Sequence, residues 1–302
     1  MNVVAAILTQ LLHVALMLAI APVLAGFLAR TEAAFGRRKG PPVLQPWRDL
    51  KRLLRKQPVR VESASVVSRH GALLGVAAVT AAVCLVPSFT LGMAFAPLAD
   101  LIAIVGLLGI MRVTSALMLL DPGSAPAGVA AARSMRLALF GDTALLLGVF
   151  TLSALAGTTN LDALAGLQRE GLLQPAAASA LAATALVAVV IVCSLAREQA
   201  EPTGDAPVLA LFMAALETLF WLNLISSLFL PIGMAEAEAG PLAWAIGVIA
   251  WLLKLAVLTV GLAACRFLIG SQRPRAATEL LALAGLLALV AAVFAISGTG
   301  AA

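Results

Sequence analysis

Met1-Asn-Val-Val-Ala-Ala-Ile-Leu-Thr-Gln-Leu-Leu-His-Val-Ala-Leu-Met-Leu-Ala-Ile-Ala-Pro-Val-Leu-Ala-Gly-Phe-Leu-Ala29 is almost unbroken hydrocarbon, and the segment from Arg30 to His70 then holds eleven of the chain's twenty basic groups. A helix crosses a bilayer core with about 20 consecutive apolar residues, because lipid cannot hydrogen-bond an exposed backbone. The first run meets that length with no positive charge before it and a basic excess after it. A retained first span is therefore expected rather than a cleaved leader.

Composition points the same way. With 62% hydrophobic and 12% charged residues, the chain has too little polar surface to cover a water-soluble globule. Its net charge of +5 is confined to short stretches between apolar runs, which argues against nucleic-acid binding. Cys84, Cys193 and Cys265 are far apart with no paired spacing, and His13 and His70 are the only histidines. No ligand set for haem, zinc or an iron–sulfur cluster is readable, no bound cofactor is expected, and no nucleotide loop or nucleophile triad occurs. Catalysis by this polypeptide alone is not expected.

Eight apolar runs predict an all-α, polytopic membrane protein with eight transmembrane helices in one integral membrane domain: roughly 3–29, 71–91, 98–120, 137–157, 174–196, 207–230, 241–265 and 278–297. With eight spans, seventeen basic side chains share one side: the eleven of the first connection, then Arg133, Arg136, Arg197, Arg266, Arg273 and Arg275. The other side has Arg169 beside Asp162, Glu170, Glu236 and Glu238. That asymmetry places the basic side in the cytoplasm of a bacterial inner membrane protein and both termini in the periplasm.

The 30–70 connection contains a readable element. After Gly40-Pro41-Pro42, the stretch Gln45 to Lys56 sets Trp47, Leu50, Leu53 and Leu54 on one helical face, with Arg48, Arg52, Arg55 and Lys56 largely on the others. Pro46 suits a first helical turn. A short amphipathic helix at the interface is expected, either anchoring to anionic lipid headgroups or docking a cytoplasmic partner. The candidate docking residues are Arg37, Arg38, Lys39, Trp47, Arg48, Asp49, Arg52 and Arg55, joined by Glu201 and Asp205 of the acidic connection between the fifth and sixth runs.

Charged groups inside the apolar runs are costly, about 2.5–3.5 kcal/mol each on insertion scales, so they should face protein, water or a partner. Arg112 and Lys254 are the clearest basic cases, with Asp142 and Glu217 as acidic counterparts. Asp121 closes the third run at Asp121-Pro-Gly-Ser124, a turn sequence, and Arg133 follows a small-residue stretch. These six residues are a polar track inside the bundle, or else Arg112 and Lys254 are structural clips paired with carboxylates or snorkel toward headgroups, and the connection from Asp121 to Arg133 simply closes a loop.

The stretch Gly36-Arg-Arg-Lys-Gly-Pro-Pro-Val-Leu-Gln-Pro-Trp-Arg-Asp-Leu-Lys-Arg-Leu-Leu-Arg-Lys-Gln57, following a span, resembles the first cytoplasmic loop of the respiratory-chain NADH dehydrogenase subunit 1 superfamily. The similarity is greatest to the formate hydrogenlyase subunit 4 and hydrogenase-4 component C branch. It extends through Arg112, Asp121-Pro-Gly-Ser124, Ala132-Arg133 and Gly157-Thr-Thr-Asn-Leu161 over nearly the whole chain. The resemblance implies eight spans at the heel of a membrane arm. It implies contact with a cytoplasmic iron–sulfur small subunit and a hydrogenase-like large subunit, and a link between redox chemistry and ion movement in antiporter-like membrane subunits. In complex I such a subunit helps to form the quinone cavity; whether a quinone binds here is open.

By the same resemblance, Arg112, Asp121 and Arg133 match positions of the polar interior and its cytoplasmic face, and Arg48 with Asp49 match a charged pair of the docking loop. Asp142 stands where that branch often has glutamate. Ser134 stands where the family often has glutamate, Glu201, Asp205 and Pro207 fit its acid–proline turn loosely, and Phe212 and Asn223 lie near places where acids are expected. These departures weaken a proton relay more than they weaken assembly. The rival readings are an independent secondary transporter, which should show inverted repeats and broken helices, and a purely structural anchor.

Overall fold

The computed structural model describes residues 3–55, 65–121, 123–173, 176–198, 207–270 and 274–299. The long helices follow from side chains that are apolar on every face, a pattern that suits helices surrounded by lipid and by one another. They are α1 (Val3–Phe35), α3 (Val66–Leu85), α4 (Leu101–Leu120), α5 (Ala125–Ala156), α7 (Ala176–Glu198), α8 (Pro207–Phe229), α9 (Pro241–Gly270) and α10 (Pro274–Thr299). Between them lie the amphipathic α2 (Gln45–Leu54), the short α6 (Leu161–Arg169), and two-residue strands β1 (Thr90–Leu91) and β2 (Ala235–Glu236) paired in parallel.

This is an all-α membrane protein. Among the described residues six helices are long and apolar enough to cross a bilayer, and two shorter apolar stretches, His70–Leu85 and Ala177–Val192, fall in the second and fifth expected runs. Where a turn is expected, Asp121 leaves α4 in a turn and Gly123 stands at φ +67°. Helix α5 starts straight after it at Ala125, twelve residues ahead of the apolar run assigned to the fourth span.

Helix α8 is the axis of the bundle. It packs against α1, α2, α3, α6, α7 and α9, and residues 219–228 are buried on every face. On one flank α3 pairs with α4, and on the other α5, α7 and α10 form a tight group bridged to α4 by α5. Close approach needs missing side chains at particular points. At Gly75, for example, a Cβ would lie 2.8 Å from the Met213 sulfur and 3.0 Å from the Thr114 hydroxyl.

The connections on the side away from α2 are stitched together. Strand β1 follows α3 and strand β2 follows α8, and their pairing joins those two ends. His13, fully buried, holds the start of α1 to the end of α3: Nε2 lies 3.2 Å from the Val83 carbonyl and Nδ1 2.7 Å from the Ser88 hydroxyl. Since a carbonyl only accepts, Nε2 carries the proton. Nδ1 shares a hydrogen bond with the Ser88 hydroxyl, which can donate or accept. Gln10 extends the seam, donating to the Cys84 carbonyl (3.1 Å) and accepting from the Phe95 N–H (3.2 Å).

On the α2 side the first connection folds back along α1 instead of leaving it. A Cβ on Gly26 would fall 2.0 Å from the Val43 carbonyl oxygen, and one on Gly40 2.9 Å from the Arg30 Cα. Farther on, the Trp47 indole N–H donates to the Ala19 carbonyl (3.1 Å). Pro22 lies inside α1 and has no N–H to give the carbonyl four residues back, so the helical ladder is interrupted next to that contact. We expect Gly26→Ala to displace α2 at a cost of about 1–3 kcal/mol. Limited trypsin cleavage after Arg48, Lys51 or Arg52 should then speed up by about tenfold or more; unchanged cleavage would contradict this packing.

Candidate functional site

Three of the six charged positions singled out in the sequence meet at the centre of the bundle. Arg112 is the twelfth residue of the twenty in α4, Asp142 sits midway along α5, and Glu217 is the eleventh residue of α8. At about 1.5 Å of rise per residue, each is more than 10 Å from either end of its helix. Arg112 forms an ion pair with Asp142, their side chains 10% and 28% exposed. The Arg112 guanidinium also lies over the ring of Trp221, 5.8 Å from its centroid. The same indole donates its N–H to the Glu217 carboxylate (3.3 Å) one turn back on α8. Glu217 is 3% exposed.

The result is a chain of alternating polarity through three helices: carboxylate, guanidinium, aromatic face, indole N–H, carboxylate. Guanidinium over indole is a favourable cation–π contact, stronger where water is excluded. Breaking a buried ion pair by removing one partner costs about 3–5 kcal/mol, because the remaining charge is stranded. The sequence reading did not single out Trp221. Its spacing of four from Glu217 was the available signal, since residues four apart share a helix face.

The other three positions lie elsewhere. Asp121 ends α4 about 13 Å along the axis from Arg112 and accepts from the Ser65 N–H (2.8 Å) and hydroxyl, which ties it to the start of α3. Lys254 donates to the Leu230 carbonyl just beyond α8 (3.0 Å), a cation at the negative end of a helix dipole. Arg133 is exposed on α5, about 13 Å before Asp142. A second clip that the sequence did not reveal joins α1 to α9: Arg266, 9% exposed, pairs with Glu32 at 3.0 Å, and Phe35 stacks near Phe267 with ring centroids 6.2 Å apart.

The candidate docking residues form an exposed basic face. Arg37, Arg38, Lys39, Arg48, Arg52 and Arg55 are exposed. Leu50 is buried, and Trp47 is half-buried by its bond to α1. Asp49 turns inward along its own helix and accepts from the Gln45 amide (3.1 Å). Helix α1 ends in a Schellman turn, with Arg38 N–H donating to Ala33 (2.8 Å) and Arg37 N–H to Ala34 (3.0 Å). Arg37 holds the left-handed position at φ +52° where glycine is usual, a strain of about 1–2 kcal/mol. Glu201 and Asp205 lie outside the described residues.

On the opposite side, an open cavity of about 560 Å³ gathers Asp162, Arg169, Glu170, Glu236 and Glu238, the charged groups the sequence placed together there. Arg169 is 3.7 Å from Glu236. Burial raises the Asp162 carboxyl above its ordinary range, and the bonds it accepts from the Gly92 N–H offset part of that. Nearby, the Gly157-Thr-Thr-Asn-Leu161 motif locks onto the start of α4. Thr159 donates its hydroxyl to Asp100, Asn160 donates to the Ala96 carbonyl (2.8 Å), and Asp100 caps α4 through the N–H of Ile102 (2.7 Å).

A family model described as NADH dehydrogenase matches residues 7–297. The chain belongs to the NADH dehydrogenase family. Formate hydrogenlyase subunit 4 of Escherichia coli (strain K12) is 31% identical over 156 residues, 52% of this chain and 51% of that protein. Hydrogenase-4 component C of the same organism is 28% identical over 156 residues, 52% of this chain and 50% of that one. The aligned part thus spans about half the length of these curated relatives. A chain from the structure of the membrane-bound sulfane sulfur reductase, an archaeal respiratory membrane complex, superposes with TM-score 0.76, covering 95% of this chain and 98% of that chain at 18% identity. At that identity the likeness shows the fold, which this NADH dehydrogenase family member shares nearly end to end.

The Asp100 lock has a pH signature. The Thr159 hydroxyl holds the Asp100 carboxyl below its ordinary value, burial opposes this by less, and the helix N–H groups add to the lowering. A carboxyl depressed on folding stabilises the fold above its unfolded value, and that contribution fades as pH falls through the folded value. Thr159→Val should therefore lower stability by about 1 kcal/mol at neutral pH, and the difference from the parent should shrink below the ordinary value of 3.8. Thermal unfolding in detergent across pH checks this; a difference that stays constant with pH would contradict it.

Proposed function

We propose that this chain is a membrane-arm subunit of a modular redox complex. It anchors a cytoplasmic iron–sulfur and hydrogenase-like module on the basic face of residues 37–55 and couples electron transfer there to ion translocation in antiporter-like partner subunits. The relatives named above are a formate hydrogenlyase subunit and a hydrogenase component, and the structural neighbour comes from a respiratory complex, all multisubunit settings. The observation that carries the reading is the pairing of two features in one chain. A cationic face is held against α1 by the Gly26–Val43 contact, and a charged cluster, buried Glu217 with the partly covered Arg112 and Asp142, lies at mid-bundle where a mere anchor has no need of one.

In this reading the exposed arginines select an acidic partner surface and set its orientation. Both termini are periplasmic in a bacterial inner membrane, and anionic lipids take up the basic groups the partner leaves uncovered. Arg112, Asp142 and Glu217 respond to events in the docked module. Asp121, Arg133 and Lys254 serve the polar interior by fixing helix ends.

Purification from mild detergent tests the proposal. The parent protein is expected to bring with it a soluble iron–sulfur module and at least one larger antiporter-like subunit. Reversal of Arg48, Arg52 and Arg55 to Glu should reduce recovery of the soluble module by about tenfold or more while membrane subunits are retained. In the assembled complex, Asp142→Asn should lower ions moved per electron by roughly threefold or more. Recovery of the chain alone, or ion flux by the isolated chain in vesicles, would overturn this function in favour of an independent transporter.

A further inference from the structure

We propose that Trp221 is the positioning residue of the buried cluster: it holds Arg112 on its ring face and Glu217 on its N–H, so that a change at one end, Asp142, is felt at the other. This rests on the coupling role proposed above and extends it to a residue with no charge. The geometry is direct. Arg112 touches both Asp142 and the Trp221 ring, and Trp221 in turn bonds Glu217.

The physical link is polarisation. An indole N–H donating to a carboxylate is a charge-assisted bond, which pushes electron density toward the ring and strengthens its hold on a cation over the face. Low local dielectric enlarges both effects. Trp221 itself is fixed: it is 3% exposed, and Phe220 packs edge-on against it at 5.3 Å. An indole clamped in this way transmits a shift of Arg112 to Glu217 instead of absorbing it by swinging aside.

Four other charged groups on helices packed against α8 have partners of their own. Glu32 pairs with Arg266, Lys254 donates to Leu230, Asp49 accepts from Gln45, and Asp162 accepts from Gly92. A second aromatic on the same axis shows the contrast. Trp251 donates to the Asn223 side chain (2.8 Å), and Asn223 donates to the carbonyls of Val86 and Pro87. That neutral arrangement braces the bundle, whereas the one at Trp221 joins two carboxylates through a guanidinium.

Two measurements on the assembled complex test the inference. The first is the ultraviolet resonance Raman band that reports hydrogen bonding of the indole N–H, taken as Asp142→Asn minus parent. It needs no substitution at position 221. A shifted band is expected, carried from Asp142 to the indole by way of Arg112; an unmoved band would overturn the proposal. The second is ions moved per electron. Trp221→Phe keeps a ring face and loses the N–H, and it should lower the ratio by roughly threefold or more. Adding Glu217→Gln to it should lower the ratio no further. If Trp221→Phe matches the parent while Asp142→Asn does not, the inference fails and the proposed function stands. Multiplying effects of the two substitutions would also overturn it. If neither Asp142→Asn nor Glu217→Gln alters the ratio, the proposed function fails, and the Raman difference still decides whether Trp221 links the two ends.

Discussion

The ion pair between Arg112 and Asp142 is the contact on which the rest of the bundle depends. A guanidinium in the middle of a membrane helix is tolerated only with a partner, since the hydrocarbon offers neither hydrogen bonds nor screening. Pairing fixes the rotation of α4 against α5. Trp221 then fixes both against α8, because its ring takes the face of the same guanidinium. Three helices are oriented by one cation, and the enclosed position of Glu217 follows from that arrangement.

The two ends of the bundle are held by different means. On one side, the strand pair, the His13 and Gln10 seam and the Asp100–Thr159 lock bind the connections to each other through backbone groups and short polar side chains. On the other side, Gly26, Gly40 and Trp47 press the first connection onto α1, while Glu32 and Arg266 clip α1 to α9. A load applied to α2 thus reaches α1 and α8 directly, and α9 through the buried pair. In the function proposed above, that path joins the basic face to the helix that carries Glu217.

Much of the architecture could be read from local pattern. The apolar runs, the amphipathic stretch from Gln45, the turn at Asp121 and the costly charges at Arg112, Asp142 and Glu217 each announce themselves within a few residues. Which charges meet depends on how helices far apart in sequence are rotated. No local signal told Lys254, which caps α8, apart from Arg112, which lies over Trp221. Helix ends were blurred for a related reason. The length of an apolar run measures hydrocarbon thickness and not helix length, so α1 continues to Phe35 and α5 begins at Ala125, carrying Arg133 and Arg136 on helical turns. The two-residue strands are too short to have any period at all.

In the proposed function the charged cluster couples as well as braces, and exchanging the charges separates the two roles. Arg112→Asp combined with Asp142→Arg rebuilds the ion pair but places a carboxylate over the Trp221 ring, where a cation belongs. The double variant is expected to assemble while its ions moved per electron stay as low as in Asp142→Asn. Full recovery of both assembly and the ion ratio would show that the pair is a structural clip alone.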